Sequence, residues 1–394
     1  MNFIVGVVAA RALGVTEFGA FSIAFLLFTV AWGGYRALLV EPAIILFRST
    51  PEKQVLDLQI PLLLMTLCLT APIFLVGWIG SSMFQGQLAT ALKAFSLILP
   101  LIISLDILRG TYHAARSPIS AERVSGLWLL LVLLSYAFID LTDNNGLYML
   151  VLPFGLLAGL IVLLSVRWFD QNIFVLRRKT PIRAILSTGW PLFLEFLVVG
   201  ISVHLLGLLL GVFYGLEQAG AFRGALIIVG PMITMMGSAR IAVLSDATKY
   251  RASCGDGSWV NYLLKVTSVG FAMCALFGIT LVWISYSYGQ HILGDTWENA
   301  KSVVLPTTLL VFCSVIHITT GAVLRARELG HISLMVRVKQ LPIVLIFSLI
   351  GMFISAASGA AWGLFFGTLV SIPFWIYAAV SVGASSGGTT EFKT

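Results

Sequence analysis

The sequence predicts an all-α membrane protein of about twelve transmembrane helices in two pseudo-equivalent six-helix lobes, and three observations predict it. Of the 394 residues 59% are hydrophobic, only 10% are charged, and mean hydropathy is +0.99, which no water-soluble domain sustains. About twelve apolar segments of roughly 20 residues follow one another, each long enough to cross a bilayer core as a helix. Finally, Gly14-Val15-Thr16-Glu17-Phe18-Gly19-Ala20-Phe21 returns as Gly215-Leu216-Glu217-Gln218-Ala219-Gly220-Ala221-Phe222, an offset of 215 − 14 = 201.

The predicted spans lie near 1–13, 18–40, 58–80, 94–112, 124–141, 146–168, 187–213, 219–244, 262–285, 302–323, 334–355 and 359–381. A barrel is excluded, because these runs are continuously apolar and lack the period-two alternation of barrel strands. The first span is odd: only 13 residues precede Gly14, about 20 Å of helix against a hydrocarbon core of about 30 Å. The offset also maps the predicted start of helix 7 to about 14 residues before Met1, so helix 1 reads as truncated.

Charge follows membrane side rather than a patch. Nineteen of the 24 Lys and Arg fall at one end of the helices, among them Arg48, Lys53, Arg109, Arg116, Arg123, Arg177, Arg178, Lys179, Arg325 and Arg327. Arg11, Lys93, Arg223 and Lys301 fall at the other, with Arg36 inside a span. The positive-inside rule then puts the loops after even-numbered helices, and both termini, in the cytoplasm. A net charge of +7 is thereby read as topology, and nucleic acid is not an expected partner. Trp78, Trp128, Trp168, Trp190, Trp283 and Trp362 at predicted helix ends fit the headgroup preference of the indole, while Trp32 and Trp375 sit deeper. Cys68, Cys254, Cys274 and Cys313 have no ligand spacing, so neither zinc nor a structural disulfide is expected.

The basic run Arg177-Arg178-Lys179 divides the chain. The expected organisation is an N-terminal six-helix lobe over 1–170, a basic cytoplasmic linker over 171–183, a C-terminal lobe over 184–382 and a disordered tail over 383–394. The cytoplasmic connection at 245–261 is read as a second basic loop.

Arg11-Ala12-Leu13-Gly14, with Phe18-Gly19-Ala20-Phe21 opening a long helix, resembles the start of bacterial polysaccharide exporters related to O-antigen flippases. The resemblance extends to the echo at Gly215–Phe222 and to Leu108-Arg109-Gly110 at the exit of helix 4, with Gly321 and Arg325 at that of helix 10. It implies the superfamily that also holds multidrug extrusion proteins and lipid II flippases, and an alternating-access cleft lined by helices 1, 2, 7 and 8. It further implies a bacterial inner-membrane location and a polyprenyl diphosphate-linked sugar as substrate. Proton or sodium coupling and a polysaccharide polymerase partner belong to the same expectation. Gly14, Gly19, Gly215 and Gly220 are expected to bracket tight external turns, where glycine tolerates backbone angles that other residues resist.

Charge in the hydrocarbon region costs roughly 2.5–3.5 kcal/mol on insertion scales, so each such residue needs a partner or a wet cavity. Arg36 in helix 2 and Arg223 in helix 8 are candidate diphosphate contacts, because guanidinium binds phosphate through a planar donor fork and keeps its charge. The competing readings are that Arg36 snorkels to the cytoplasmic face and Arg223 sits at the external interface. Glu195 in helix 7 is placed at the depth of Arg36, as a gate partner, a proton-coupling carboxylate or a satisfied buried acid. His204 is nine residues further on, on the opposite face of the same helix, and is a candidate substrate contact or a hydrogen-bonded core histidine. His317 in helix 10 is a weaker candidate. Asp106, a coupling or gate candidate, is three residues from Arg109 on one helix face, and a local ion pair explains both.

Walker-type, H-E-x-x-H and G-x-S-x-G patterns do not occur. The chain is therefore read as neither an enzyme nor a metal or cofactor protein. An internal repeat in a multispanning protein implies transport between two halves. The alternatives are a cation-coupled exporter of small amphipathic compounds and an inactive scaffold of an envelope assembly complex.

Overall fold

The computed structural model describes residues 2–47, 55–56, 58–115, 117–138, 146–168, 182–254, 259–327 and 329–381. Apolar runs with few helix breakers form α1 (Asn2–Ala12), α2 (Val15–Phe47), α3 (Gln59–Ser81), α4 (Gly86–Ala114), α5 (Pro118–Phe138) and α6 (Gly146–Trp168). They continue as α7 (Ile182–Tyr214), α8 (Leu216–Cys254), α9 (Trp259–Leu293) and α10 (Trp297–Ala326). A last stretch, Gly330–Ser381, breaks at Ser355 and Ala356 into α11 (330–354) and α12 (357–381). Twelve helices and no strand occur among the described residues. Eight apolar stretches long enough to cross a bilayer cover ten of them, a pair broken between Val198 and Val203 covers α7, and α1 has 11 residues. The chain is thus a multi-pass, all-α membrane protein.

One expectation about a boundary is corrected. Most of the predicted loop 245–261 is helical, because α8 runs on to Cys254. The extension is held by long-range bonds: Tyr262 Oη donates to Asp246 Oδ2 at 3.0 Å and Arg251 donates to the Ala326 carbonyl at 2.6 Å. By contacts the chain divides into Met1–His204 and Leu205–Thr394. The first part of α7 groups with the first unit because Phe193 and Phe196 pack on Gly34 and Gly33 of α2. Residues 171–181 of the linker and the tail 383–394 lie outside the described residues.

Each unit is built around its fourth helix, α4 against α2, α3, α5 and α6, and α10 against α8, α9, α11 and α12. In the first unit Phe21, Phe25 and Phe28 line one face of α2 at helical spacing and meet Phe95 of α4 at centroid distances of 5.4, 5.6 and 5.2 Å. In the second unit Gly359, Gly363 and Gly367 bring α12 against the backbone of α11. Small residues at this spacing let helices approach where lipid removes the hydrophobic drive to associate.

The turns carry the internal repeat atom by atom. Phe18 N–H bonds the Gly14 carbonyl at 2.8 Å, and Ala219 N–H bonds the Gly215 carbonyl at 3.4 Å, 201 positions later. Between α4 and α5, Ala115, Ser117, Ser120 and Ala121 donate to the carbonyls of Thr111, Tyr112, Ser117 and Ser117. Between α10 and α11, Arg327, Leu329, Ile332 and Ser333 donate to Val323, Leu324, Leu329 and Leu329. Every donor and acceptor there is shifted by 212 (327 − 115). The extra 11 positions are accommodated largely by α9, which has 35 residues against 23 in α3.

The glycines expected to bracket the external turns are not equivalent. Gly14 caps α2 at φ −63°, ψ 162°, an angle open to any residue, while Gly215 sits at φ +90°, where a side chain is strained. Gly19 and Gly220 lie buried inside α2 and α8, one turn past the connections they were expected to bracket.

Candidate substrate and coupling residues

Arg36 marks a change of winding in α2. From Arg36 to Val40 the helix is π-helical, and Glu41 N–H reaches back five residues to the Arg36 carbonyl. Pro42 explains part of this: it has no N–H, so the Leu38 carbonyl lacks the donor an α-helix would supply. Gly189 of α7 packs directly on that carbonyl, so closely that a Cβ at position 189 would overlap the oxygen. A π-turn widens the helix by one residue and recurs at functional positions.

The Arg36 side chain is exposed and forms no hydrogen bond or ion pair among the described residues. It stands 21 residues beyond Val15, about 30 Å along the helix. The helix continues for 11 residues past it, to Phe47.

The part of α7 that faces Arg36 follows from packing register. Leu38 meets Gly189, Gly34 meets Phe193 and Gly33 meets Phe196, so the antiparallel pair places Arg36 level with residues near 191. Glu195 is about one turn away along α7 and its side chain lies outside the described residues. His204 is part-buried, and a Cβ at Gly200 one turn earlier would lie 3.3 Å from its Cδ2.

Asp106 has part-buried partners on two helices. Arg109 donates to Oδ1 at 3.0 Å, the ion pair predicted from the i, i+3 spacing. Trp32 of α2 donates its indole N–H to Oδ2. Asp106 is only 5% exposed, so a buried carboxylate is satisfied by one guanidinium and one indole, as burial requires. Sequence reasoning placed Trp32 deep in its span but did not connect it with Asp106, since nothing local links positions 74 residues apart.

In the second unit Arg223 is part-buried on α8, beside Gly224, whose backbone packs on Leu293, Thr296 and Ala300. His317 of α10 is buried, with Nε2 3.4 Å from Ser371 Oγ and its ring 5.4 Å from that of Trp375. It is a core histidine of the α10–α12 contact.

With α4 central in one unit and α10 central in the other, the fold matches that of solved multispanning membrane proteins. An inward-facing multidrug resistance MATE family transporter of the MOP superfamily matches with a TM-score of 0.78 at 15% identity, covering 98% of this chain and 95% of its own. Lipid II flippase MurJ in an inward closed conformation matches at 0.71 and 12% identity, over 95% of this chain and 84% of its own. A MOP superfamily transporter from Pyrococcus furiosus matches at 0.59 and 15% identity, over 96% and 88%. No protein-family model and no curated protein matches the sequence.

Proposed function

We propose that this chain is an alternating-access transporter that flips a lipid-linked sugar or polysaccharide precursor across the bacterial plasma membrane, with both termini in the cytoplasm. The observation that carries the reading is the exposed Arg36 at the π-turn of α2, in a chain whose turn hydrogen bonds recur along the sequence. A cation on a membrane-spanning helix is expensive unless an anion or water meets it, and a diphosphate headgroup would supply that anion to the donor fork of arginine. Arg223 is the second proposed contact and His204 a third. Glu195 is the proposed proton- or sodium-coupling carboxylate, since Asp106 is already neutralised by Arg109. The polyprenyl tail stays in lipid while the sugar crosses, and a polymerase is the proposed recipient.

The second reading is a cation-coupled exporter of small amphipathic compounds, favoured by the likeness to a multidrug transporter. Deleting the gene and extracting lipid-linked intermediates separates the two. Accumulation of cytoplasmic-side intermediate is expected here; changed drug resistance with normal intermediates supports the exporter. Neither change supports an inactive scaffold.

A further inference from the structure

The internal repeat provides its own control at one corner of the molecule. Where α4, α5 and α6 meet in the first unit, a cavity of about 460 Å³ is lined by Tyr112, Ser120, Arg123 and Ser165 at its polar part and by Leu127 and Leu164 along its apolar wall. The turn hydrogen bonds shifted by 212 pair Tyr112 with Leu324 and Ser120 with Ile332, and the same offset carried two residues into the next helix pairs Arg123 with Met335. The corresponding corner of the second unit is occupied by a large side chain among the described residues. Trp375 fills it, fully buried in a cluster with Leu324 and Val336 and with Ile332 packed alongside. Its indole donates to Gln340 at 3.0 Å, and Arg337 covers its face at 5.3 Å.

One copy of the unit therefore closes this corner with a tryptophan, and the other leaves a volume within the range of small-molecule sites. The open copy carries an arginine where the closed one carries a methionine. Arg123 is exposed and its guanidinium forms no hydrogen bond or ion pair among the described residues. Two serine hydroxyls and a phenol lie around the same cavity. Leu127 and Leu164 are each 47% exposed, so the apolar wall opens sideways towards lipid. The corner lies next to the short α4–α5 turn, at the membrane boundary of the basic side.

We propose that this cavity is a binding site for a phosphate-bearing membrane lipid. The phosphate sits on Arg123 and the neighbouring hydroxyls, and the first carbons of one chain run along Leu127 and Leu164 before leaving into the bilayer. The volume admits a headgroup and the start of one chain, not a whole lipid. The arrangement of one planar cation, clustered hydroxyls and an apolar exit matches an amphiphile with an anionic end. The site is separate from Arg36 and stands whether or not the transport reading holds.

Native mass spectrometry of the purified full-length chain tests it, with phosphatidylglycerol, diacylglycerol and inorganic phosphate as probes. Phosphatidylglycerol is expected to remain bound, with Arg123→Ala weakening the retained lipid about ten-fold. Leu164→Trp, which supplies in this unit the bulk of Trp375, is expected to remove it. Diacylglycerol is expected not to occupy the site, and millimolar inorganic phosphate not to displace the lipid. Equal lipid retention by wild type and Arg123→Ala overturns the proposal. Displacement by inorganic phosphate also overturns it, leaving an anion site without lipid. If Leu164→Trp does not fold, Arg123→Ala decides alone, since position 123 is exposed.

Discussion

Trp32 on α2 donates its indole N–H to the carboxylate of Asp106 on α4, the same carboxylate that accepts Arg109. A single buried acid thus ties two helices of the first unit together and neutralises a cation within its own helix. Asp106→Ala strands both donors, and removing one partner of a buried pair typically costs about 3–5 kcal/mol. Asp106→Asn keeps an acceptor for Trp32 and is expected to cost less. Thermal unfolding in detergent is expected to rank wild type above Asn above Ala. A variant as stable as wild type but dead in transport would instead return Asp106 to a coupling role.

Gly14 and Gly215 hold equivalent places in the repeat but different backbones, at φ −63° and φ +90°. Gly215→Ala is expected to destabilise by about 1–2 kcal/mol, the usual penalty for an L residue in the left-handed region. Gly14→Ala is expected to cost less, since its φ suits any residue and only the poorer capping of alanine opposes it. The two melting curves, measured side by side, check this, and equal shifts would contradict it.

Gly189 packs on the carbonyl that Pro42 leaves without an α-helical donor. Gly189→Ala is expected to push α7 off the π-turn and to destabilise by about 1–3 kcal/mol, as overpacking does. Pro42→Ala supplies the missing N–H, and slower amide exchange across 36–43 is the expected signature of a helix that has regained its regular bonds.

Much of this was legible in the sequence, and the failures share a cause. Continuous apolar runs gave the helices, and the Gly14 and Gly215 segments gave the repeat that the turn hydrogen bonds bear out. The Asp106–Arg109 pair was readable because three positions along a helix are neighbours. Trp32's role, the register of α7 on α2 and the assignment of 182–204 to the first unit were not, because each depends on contacts between distant segments. The π-turn left a signal in Gly33-Gly34 followed by Pro42, but its consequence appears only when Gly189 is seen against Leu38. The extension of α8 was hidden because the polar stretch around Asp246 reads as loop until Tyr262 and Ala326 are brought to it.

Glu195→Gln is expected to uncouple transport. In proteoliposomes, an imposed proton or sodium gradient is expected to accelerate wild-type flipping and leave the variant at its ungradiented rate. Equal acceleration of both would remove Glu195 from the coupling step.

The most direct test of the account is flipping of a fluorescent polyprenyl diphosphate-linked sugar in proteoliposomes by wild type, Arg36→Lys and Arg36→Ala at matched incorporation. Lysine keeps the charge and loses the donor fork, so a fraction of wild-type flipping is expected for Arg36→Lys and none above empty liposomes for Arg36→Ala. Wild-type flipping by Arg36→Ala would contradict it.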